Sequence, residues 1–377
     1  MNLELSEDQE LFRQTTARFL ASESPVGAVR DRHRAGDRGT PVWWRTVADL
    51  GWTSMLVSEG AGGGSLSGQP VADAVLIAEE MGRTVSPGPF LPVNVVGAAL
   101  SDAGSAEQQS RVLPALLTGD AVAAWAFGER GSRWDVATHT TTAGVVAGEV
   151  QLDGAKAYVE AAADAEHFLV TARSGDGVTQ VLVAADTPGV TVVGASSLDL
   201  ARRFGEVRFD AVRLPLDAIV GQLGDATADV ERQLQIALVL QCAETVGTLD
   251  RVFEFTLEYM SDRFAFGRPI SSYQALKHRV ADLLLELESA KAAVDAAVRA
   301  VDARDDDAAI QASVAKAYVG DRALHLIQEC MQFHGGISVT WEHDLHLYLR
   351  RATVNRAVFG TPEQHRERIC SLLEVSP

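Results

Sequence analysis

Cysteine is scarce in this chain. There are three, Cys242, Cys330 and Cys370, far apart and without a CxxC spacing. That pattern supports neither a disulfide framework nor a zinc site, so no metal is expected and the thiols read as buried. Long apolar runs are missing as well. No stretch of about 18 uninterrupted apolar residues occurs, so no membrane-spanning helix is expected. The opening Met1-Asn2-Leu3-Glu4 lacks the basic region and apolar run of a secretory signal. A cytoplasmic location, away from membrane, is the expectation. Positive charge is in deficit: 33 Lys and Arg face 51 Asp and Glu, a formal net charge of −18. A nucleic-acid partner, which needs a basic face, is not expected. What remains is an ordinary globular composition, 47% hydrophobic over 377 residues, enough for two or three regions sharing cores.

Ser6-Glu7-Asp8-Gln9 reads as a capping box. The apolar positions Leu11, Phe12, Ala17, Phe19 and Leu20 carry the helix behind it to about Ala21. Pro41-Val42-Trp43-Trp44 opens another helix that ends near Gly51. Gly60-Ala61-Gly62-Gly63-Gly64-Ser65 is a loop. No Lys-Ser/Thr follows it, so it reads as a linker and not as a phosphate cradle. Helices are predicted over 71–81, stopped by Gly82, and over 106–117, ended by Gly119. From Ala121 the texture changes to short β-branched segments around Val145-Val146, Ala157–Val159, His167–Thr171, Gln180–Val183, Val190–Val193 and Glu206–Phe209. Asp153-Gly154 and Asp176-Gly177 punctuate them as turns. From Thr227 the chain is helical again. Leu276, Val280, Leu283, Leu287, Ala290, Val294, Val298 and Val301 alternate spacings of three and four, which is a bundle seam. Residues 308–333 form a further long helix. The expected fold class is α+β: an N-terminal helical domain over 1–120, a β-barrel or sandwich over 121–222, and a C-terminal four-helix bundle over 223–377.

Two segments in the last third carry more than periodicity. The first is Arg263-Phe264-Ala265-Phe266-Gly267-Arg268-Pro269-Ile270-Ser271-Ser272-Tyr273-Gln274. The second runs from Cys330 through Gln332-Phe333-His334-Gly335-Gly336 to Arg351, with a helix ending at Gln332 and another starting near His343. Glu342-His343-Asp344 reads as helix-start chemistry, since acidic groups favour a helix N-terminus. In this order the two segments resemble the C-terminal signatures of the acyl-CoA dehydrogenase family, and the resemblance extends over essentially the whole chain. It implies the helical–β–helical order above, FAD as cofactor, an acyl-CoA substrate oxidised to a 2-enoyl thioester, and an electron-transfer flavoprotein as electron acceptor. It also implies that Arg263, Phe266, Gly267, Gln274, Gln332, Gly335 and Gly336 hold the diphosphate end of an FAD bound largely to a neighbouring subunit. A guanidinium suits pyrophosphate, and the two glycines let backbone close over it. Arg350 matches an arginine of the same motif and reads as structural or near the cofactor.

The flavin-ring end departs from the family pattern. The family's hydroxyl-bearing segment aligns with Gly128-Glu129-Arg130-Gly131-Ser132-Arg133-Trp134-Asp135, where Gly128 stands for Thr and Trp134 for Ser. Its aromatic-x-Thr segment aligns with Tyr158-Val159-Glu160. The stacking ring survives as Tyr158, but Glu160 replaces the Thr and would repel an anionic reduced flavin. The base departs too. An α-proton needs a carboxylate poised opposite the hydride acceptor, yet the family's two Glu positions fall at Phe359 and Ala237. Glu244, two helical turns after Ala237, is either a displaced catalytic base or a structural carboxylate paired with a neighbouring helix. Three expectations follow. The chain is one subunit of a heteromeric (α2β2) acyl-CoA dehydrogenase whose partner supplies the Glu. Alternatively it is a self-sufficient homotetramer using Glu244, or a non-catalytic assembly subunit.

Overall fold

The computed structural model describes residues 5–374 except Arg38, Arg133 and Asp176. Met1-Asn2-Leu3-Glu4, Arg133 of the 128–135 segment and Asp176 of the expected Asp176-Gly177 turn therefore lie outside the described residues. Six helices come first: α1 (Glu7–Glu23), α2 (Val26–Ala35), α3 (Trp44–Asp49), α4 (Pro70–Thr84), α5 (Phe90–Ala103) and α6 (Ala106–Leu117). The Ser6–Gln9 capping box starts α1, and a second box from Ser105 and Gln108 starts α6. The glycine-rich loop is tied down by Asp73, which is fully buried. Its carboxylate accepts from Ser65 Oγ (2.6 Å), Ser67 N (2.9 Å) and Gln9 Nε2 (2.8 Å). A loop anchored this way is a linker.

Gly82 does not end its helix. The helix α4 continues to Thr84, because Gly82 faces a neighbour and not a turn. A Cβ on Gly82 would sit 1.9 Å from the carbonyl oxygen of Glu244, and a Cβ on Gly247 would sit 1.9 Å from that of Glu79. Two missing side chains let α4 and the long helix α7 (Thr227–Asp262) touch backbone to backbone. The helix α5, buried along nearly its whole length, wedges between α7 and the first strand.

The middle strands are β1 (Ala123–Ala126), β2 (Thr142–Val146), β3 (Glu149–Glu160), β4 (His167–Ser174), β5 (Gly177–Ala184), β6 (Val190–Ala195), β7 (Phe204–Leu214) and β8 (Ile219–Val220). They form one sheet in the order β6-β7-β3-β2-β4-β5-β8, with β1 running parallel beside β4. The β3–β7 ladder loses register between Lys156 and Val159. Tyr158 falls in that irregularity, with φ of 58°, and its ring is aimed out of the sheet and half exposed. An irregular residue in a ladder re-aims its side chain in this way.

After α7 comes the hairpin β9 (Phe264–Ala265) and β10 (Arg268–Pro269), then α8 (Gln274–Ala303), α9 (Ala308–His334), α10 (Leu345–Ala357) and α11 (Pro362–Glu374). The expected seam on α8 is buried from Leu283 to Val301, and Leu276 and Val280 pack partly against it. The C-terminal region thus has two helices more than α7, α8 and α9, both packed on α9. Among the described residues, no helix is long and apolar enough to cross a membrane.

Candidate active site

The diphosphate-binding candidates lie on an outward face. Arg263 caps the end of α7, and its guanidinium forms no ion pair among the described residues. The hairpin that follows projects Phe266 into solvent at 99% exposure and Phe264 at 61%. Gln274 opens α8, Gln332 lies in the last turn of α9, and both are exposed, as are Gly335 and Gly336. Tyr259 joins the two motifs: its ring stacks on His334 at 4.3 Å and its hydroxyl donates to the His334 carbonyl at 3.3 Å. Arg263 is therefore one helical turn from a residue locked to the Gly335-Gly336 turn. This set offers a cation, amides and open backbone to an anion outside the chain. It fits a diphosphate. Arg350 points elsewhere, donating to the Leu198 carbonyl at 3.2 Å. Asp344 stands at the start of α10 and pairs with Arg30, while His343 Nδ1 accepts from Leu345 N.

The flavin-ring candidates are built differently. Lys156 is fully buried and donates to Glu129 Oε1 at 2.7 Å, pinning the 128–135 segment onto β3. Burial alone would raise the Glu129 pKa. Lys156 and the Thr140 and Thr141 donors outweigh burial and hold it at about 2. Beyond this anchor, Trp134 folds back with φ of 60°. A Cβ on Gly128 would meet the Trp134 ring at 2.6 Å, so the indole occupies the space a Thr side chain would need. The Trp134 ring is 5.8 Å from the ring of Tyr158 and 5.3 Å from that of Phe359. Trp125 stacks on Phe127 at 4.6 Å and approaches Phe359 at 5.5 Å.

The turn carrying Phe359 is rigid. Buried Lys316 donates to the Val358 carbonyl at 2.8 Å and also reaches the Asn355 carbonyl and Gln241 Oε1. Burial pushes its pKa down to about 7. His365 Nε2 holds the Phe359 carbonyl at 2.9 Å. Phe359 is 8% exposed and Ala237 fully buried. Neither Phe359 nor Ala237 carries a group that takes a proton.

Glu244 is buried within a network of five ionisable side chains. Its Oε1 accepts from Arg351 Nη1 at 2.6 Å and Arg202 Nη2 at 3.1 Å, and its Oε2 from Asn355 Nδ2 at 2.8 Å. Arg351, wholly buried, also binds Asp199 and the Ser86 carbonyl. Arg202 reaches Glu160 at 3.2 Å. A general base must come within hydrogen-bond reach of a substrate proton. The Glu244 oxygens reach protein donors, which is the arrangement of a paired structural carboxylate. Burial pushes Glu160 up to about 7, against the pull of Arg202 and with Glu244 and Asp199 pushing the same way. Burial would raise Asp199 also, but Arg351 prevails and lowers it. Sequence reasoning missed Asp199, Arg202, Arg351 and Asn355. One signal was available: Arg351 and Asn355 share a helical face with Leu347, Tyr348 and Ala352, and a charge in an inward stripe needs a buried partner.

This helical–sheet–helical architecture is that of the acyl-CoA dehydrogenases, and the chain belongs to that family. Family models for the N-terminal, middle and C-terminal domains of acyl-CoA dehydrogenases match residues 6–120, 124–212 and 227–373. Family members bind FAD. The chain is 28% identical to acyl-CoA dehydrogenase IpdE2 of Mycolicibacterium smegmatis, over 97% of this chain and 98% of that one. It is also 28% identical to IpdE2 of Mycobacterium tuberculosis, over 98% and 99%. Among solved structures it resembles the ChsE4-ChsE5 complex of Mycobacterium tuberculosis, with TM-score 0.88, 25% identity and full coverage of both chains. It also resembles the Tcur3481-Tcur3483 steroid ACAD, with TM-score 0.87, 26% identity and 98% coverage of each.

Proposed function

We propose that the chain is one subunit of a heteromeric acyl-CoA dehydrogenase. It lends Arg263, Phe266, Gln274, Gln332, Gly335 and Gly336 to the diphosphate of an FAD whose ring lies in a partner subunit, and that partner supplies the Glu base. FAD would supply the hydride acceptor for the β-hydrogen of an acyl-CoA, with electrons leaving to an electron-transfer flavoprotein. One observation carries the reading: both family base positions are apolar and buried, while the diphosphate set is intact and faces outward. A chain kept only for assembly needs no solvent-facing arginine beside an open double-glycine turn. Likeness to the two-component ChsE4-ChsE5 and steroid enzymes supports a paired subunit and a bulky, polycyclic acyl group.

The residues of this chain would bind and orient. Arg263 would meet the pyrophosphate with two parallel N–H donors, and Gln274 and Gln332 would donate amide hydrogens. The exposed Phe266 would be covered by the partner. The test is dehydrogenase turnover of the purified chain alone and after mixing with the dehydrogenase-like chain that co-purifies with it. No turnover alone and full turnover in the mixture supports the shared site. Full activity of the chain alone overturns it.

A further inference from the structure

The ring end of the chain's own pocket does not fit a flavin, and that misfit is specific. A flavin ring and a thioester must lie in one continuous space between the stacking ring and the base. Here those two positions are Tyr158 and Phe359, and a single indole touches both, at 5.8 and 5.3 Å. Stacked atoms need about 3.5–4 Å per layer, so the indole takes up the separation that flavin and substrate would share. The plug is interlocked. Gly128 lacks a side chain where the Trp134 ring lies, with a Cβ-to-ring distance of 2.6 Å, and Phe359 closes the far side under the hold of Lys316 and His365. On the other flank, the Glu160 and Arg202 side chains, 3.2 Å apart, fill the position of the flavin edge.

Two of the cavities lined by described residues bear on the plug. One, of about 410 Å³, lies between α2, Ala161–Ala163 and the 194–204 loop. The other, of about 370 Å³, lies between Trp134, Phe359, α7 and α11. They share no lining residue. The second opens beside Phe359, and its charged lining among the described residues is Asp135, Glu231, Glu367 and Arg368, with Arg368 paired to Glu231. Coenzyme A is a polyanion and needs cations to hold its phosphates. Among the described residues this mouth offers it no uncommitted arginine or lysine.

We infer that Trp134, seated over Gly128 and capped by Phe359, is a built-in plug, so that this chain's own pocket takes neither the flavin ring nor coenzyme A. The inference deepens the shared-site reading and rests on it for where the remaining flavin sits: the assembly carries one FAD and one acyl-CoA for each pair of chains.

The test counts ligands. The chain alone is titrated with FAD and with free coenzyme A, and the co-purified assembly is denatured to release and quantify its flavin. The expected result is no binding by the chain alone and one flavin per pair in the assembly. One flavin per chain in the assembly overturns the plug while leaving a shared base possible. A flavin-free chain that gains no flavin or activity from its co-purifying partner leaves the plug standing and removes the shared-site reading. A second measurement addresses the interlock. Gly128→Ala should lower the denaturation midpoint in the wild-type background and lose that effect in a Trp134→Ser background. Equal effects in both would overturn the interlock, and if Trp134→Ser does not fold, the flavin count decides.

Discussion

Gly82 on α4 meets the carbonyl oxygen of Glu244 on α7 so closely that an added Cβ would stand 1.9 Å from it. The contact holds Glu244 at a fixed depth, with its side chain turned toward Arg351 and Arg202. Overpacking of this kind typically costs about 1–3 kcal/mol, and more where the obstacle is backbone. Gly82→Ala is expected to lose about 3 kcal/mol or more in urea unfolding of the purified chain. Gly60→Ala, where no heavy atom lies within 4 Å, should change stability by less than about 0.5 kcal/mol.

The ion network predicts a structural role for Glu244. Removing one member of a buried pair leaves an uncompensated charge and costs about 3–5 kcal/mol. Arg351→Met should show that loss, since both Asp199 and Glu244 lose a cation. Glu244→Gln should destabilise the fold while the assembled enzyme keeps turning over at a temperature where the variant is folded. Abolished turnover with folding and FAD retention unchanged would instead make Glu244 the base.

Glu160 predicts a pH dependence of opposite sign to that of an ordinary paired carboxylate. Its pKa is raised to about 7 by burial first, with neighbouring carboxylates adding to it. The native state then holds a proton that the unfolded chain releases. The stability this contributes is complete below the unfolded value near 4.5, falls as pH rises, and is gone above about 7. Glu160→Gln cannot ionise. Relative to wild type, it should gain stability between about pH 5 and 7, on the order of 2 kcal/mol, and run parallel to wild type above that. A difference that is flat with pH would show that Glu160 does not titrate in this range. The comparison isolates Glu160 because carboxylates with lowered values, such as Glu129, are common to both proteins.

Arg263 is exposed and carries no internal ion pair among the described residues, so Arg263→Ala should leave the unfolding curve of the chain unchanged. In the assembled enzyme it should weaken FAD retention by about tenfold to a hundredfold, the range for one charge-assisted hydrogen-bonding group. Gel filtration followed by flavin absorbance reads both effects. Retention equal to wild type would remove Arg263 from the cofactor site.

Local signals were legible wherever the physics is local. The Ser6–Gln9 box, the α8 seam and the β-branched segments of the sheet each depend on residues within a few positions, and each appears where the pattern places it. The Arg263–Gln274 and Gln332–Gly336 segments were legible as local structure because a hairpin and a double-glycine turn are short contiguous runs. Gly82 misled because a glycine's lack of a side chain reads as a stop signal in one dimension. Its use here, close approach of another helix, exists only in three. The two unforeseen N-terminal helices failed for related reasons: α2 is highly charged, and α5 is apolar all round and carries no stripe.

Taken alone, the sequence determined the family architecture and put apolar residues, Phe359 and Ala237, at the two counted positions that the resemblance aligns with the family's base. It left open whether Glu244 was a base or a partner. Only the tertiary structure decided its partners, by bringing Arg202 from a loop and Arg351 and Asn355 from α10 onto its two oxygens. The pairing of Gly128 with Trp134 was likewise invisible as two separate substitutions, since what couples them is a volume that one indole fills.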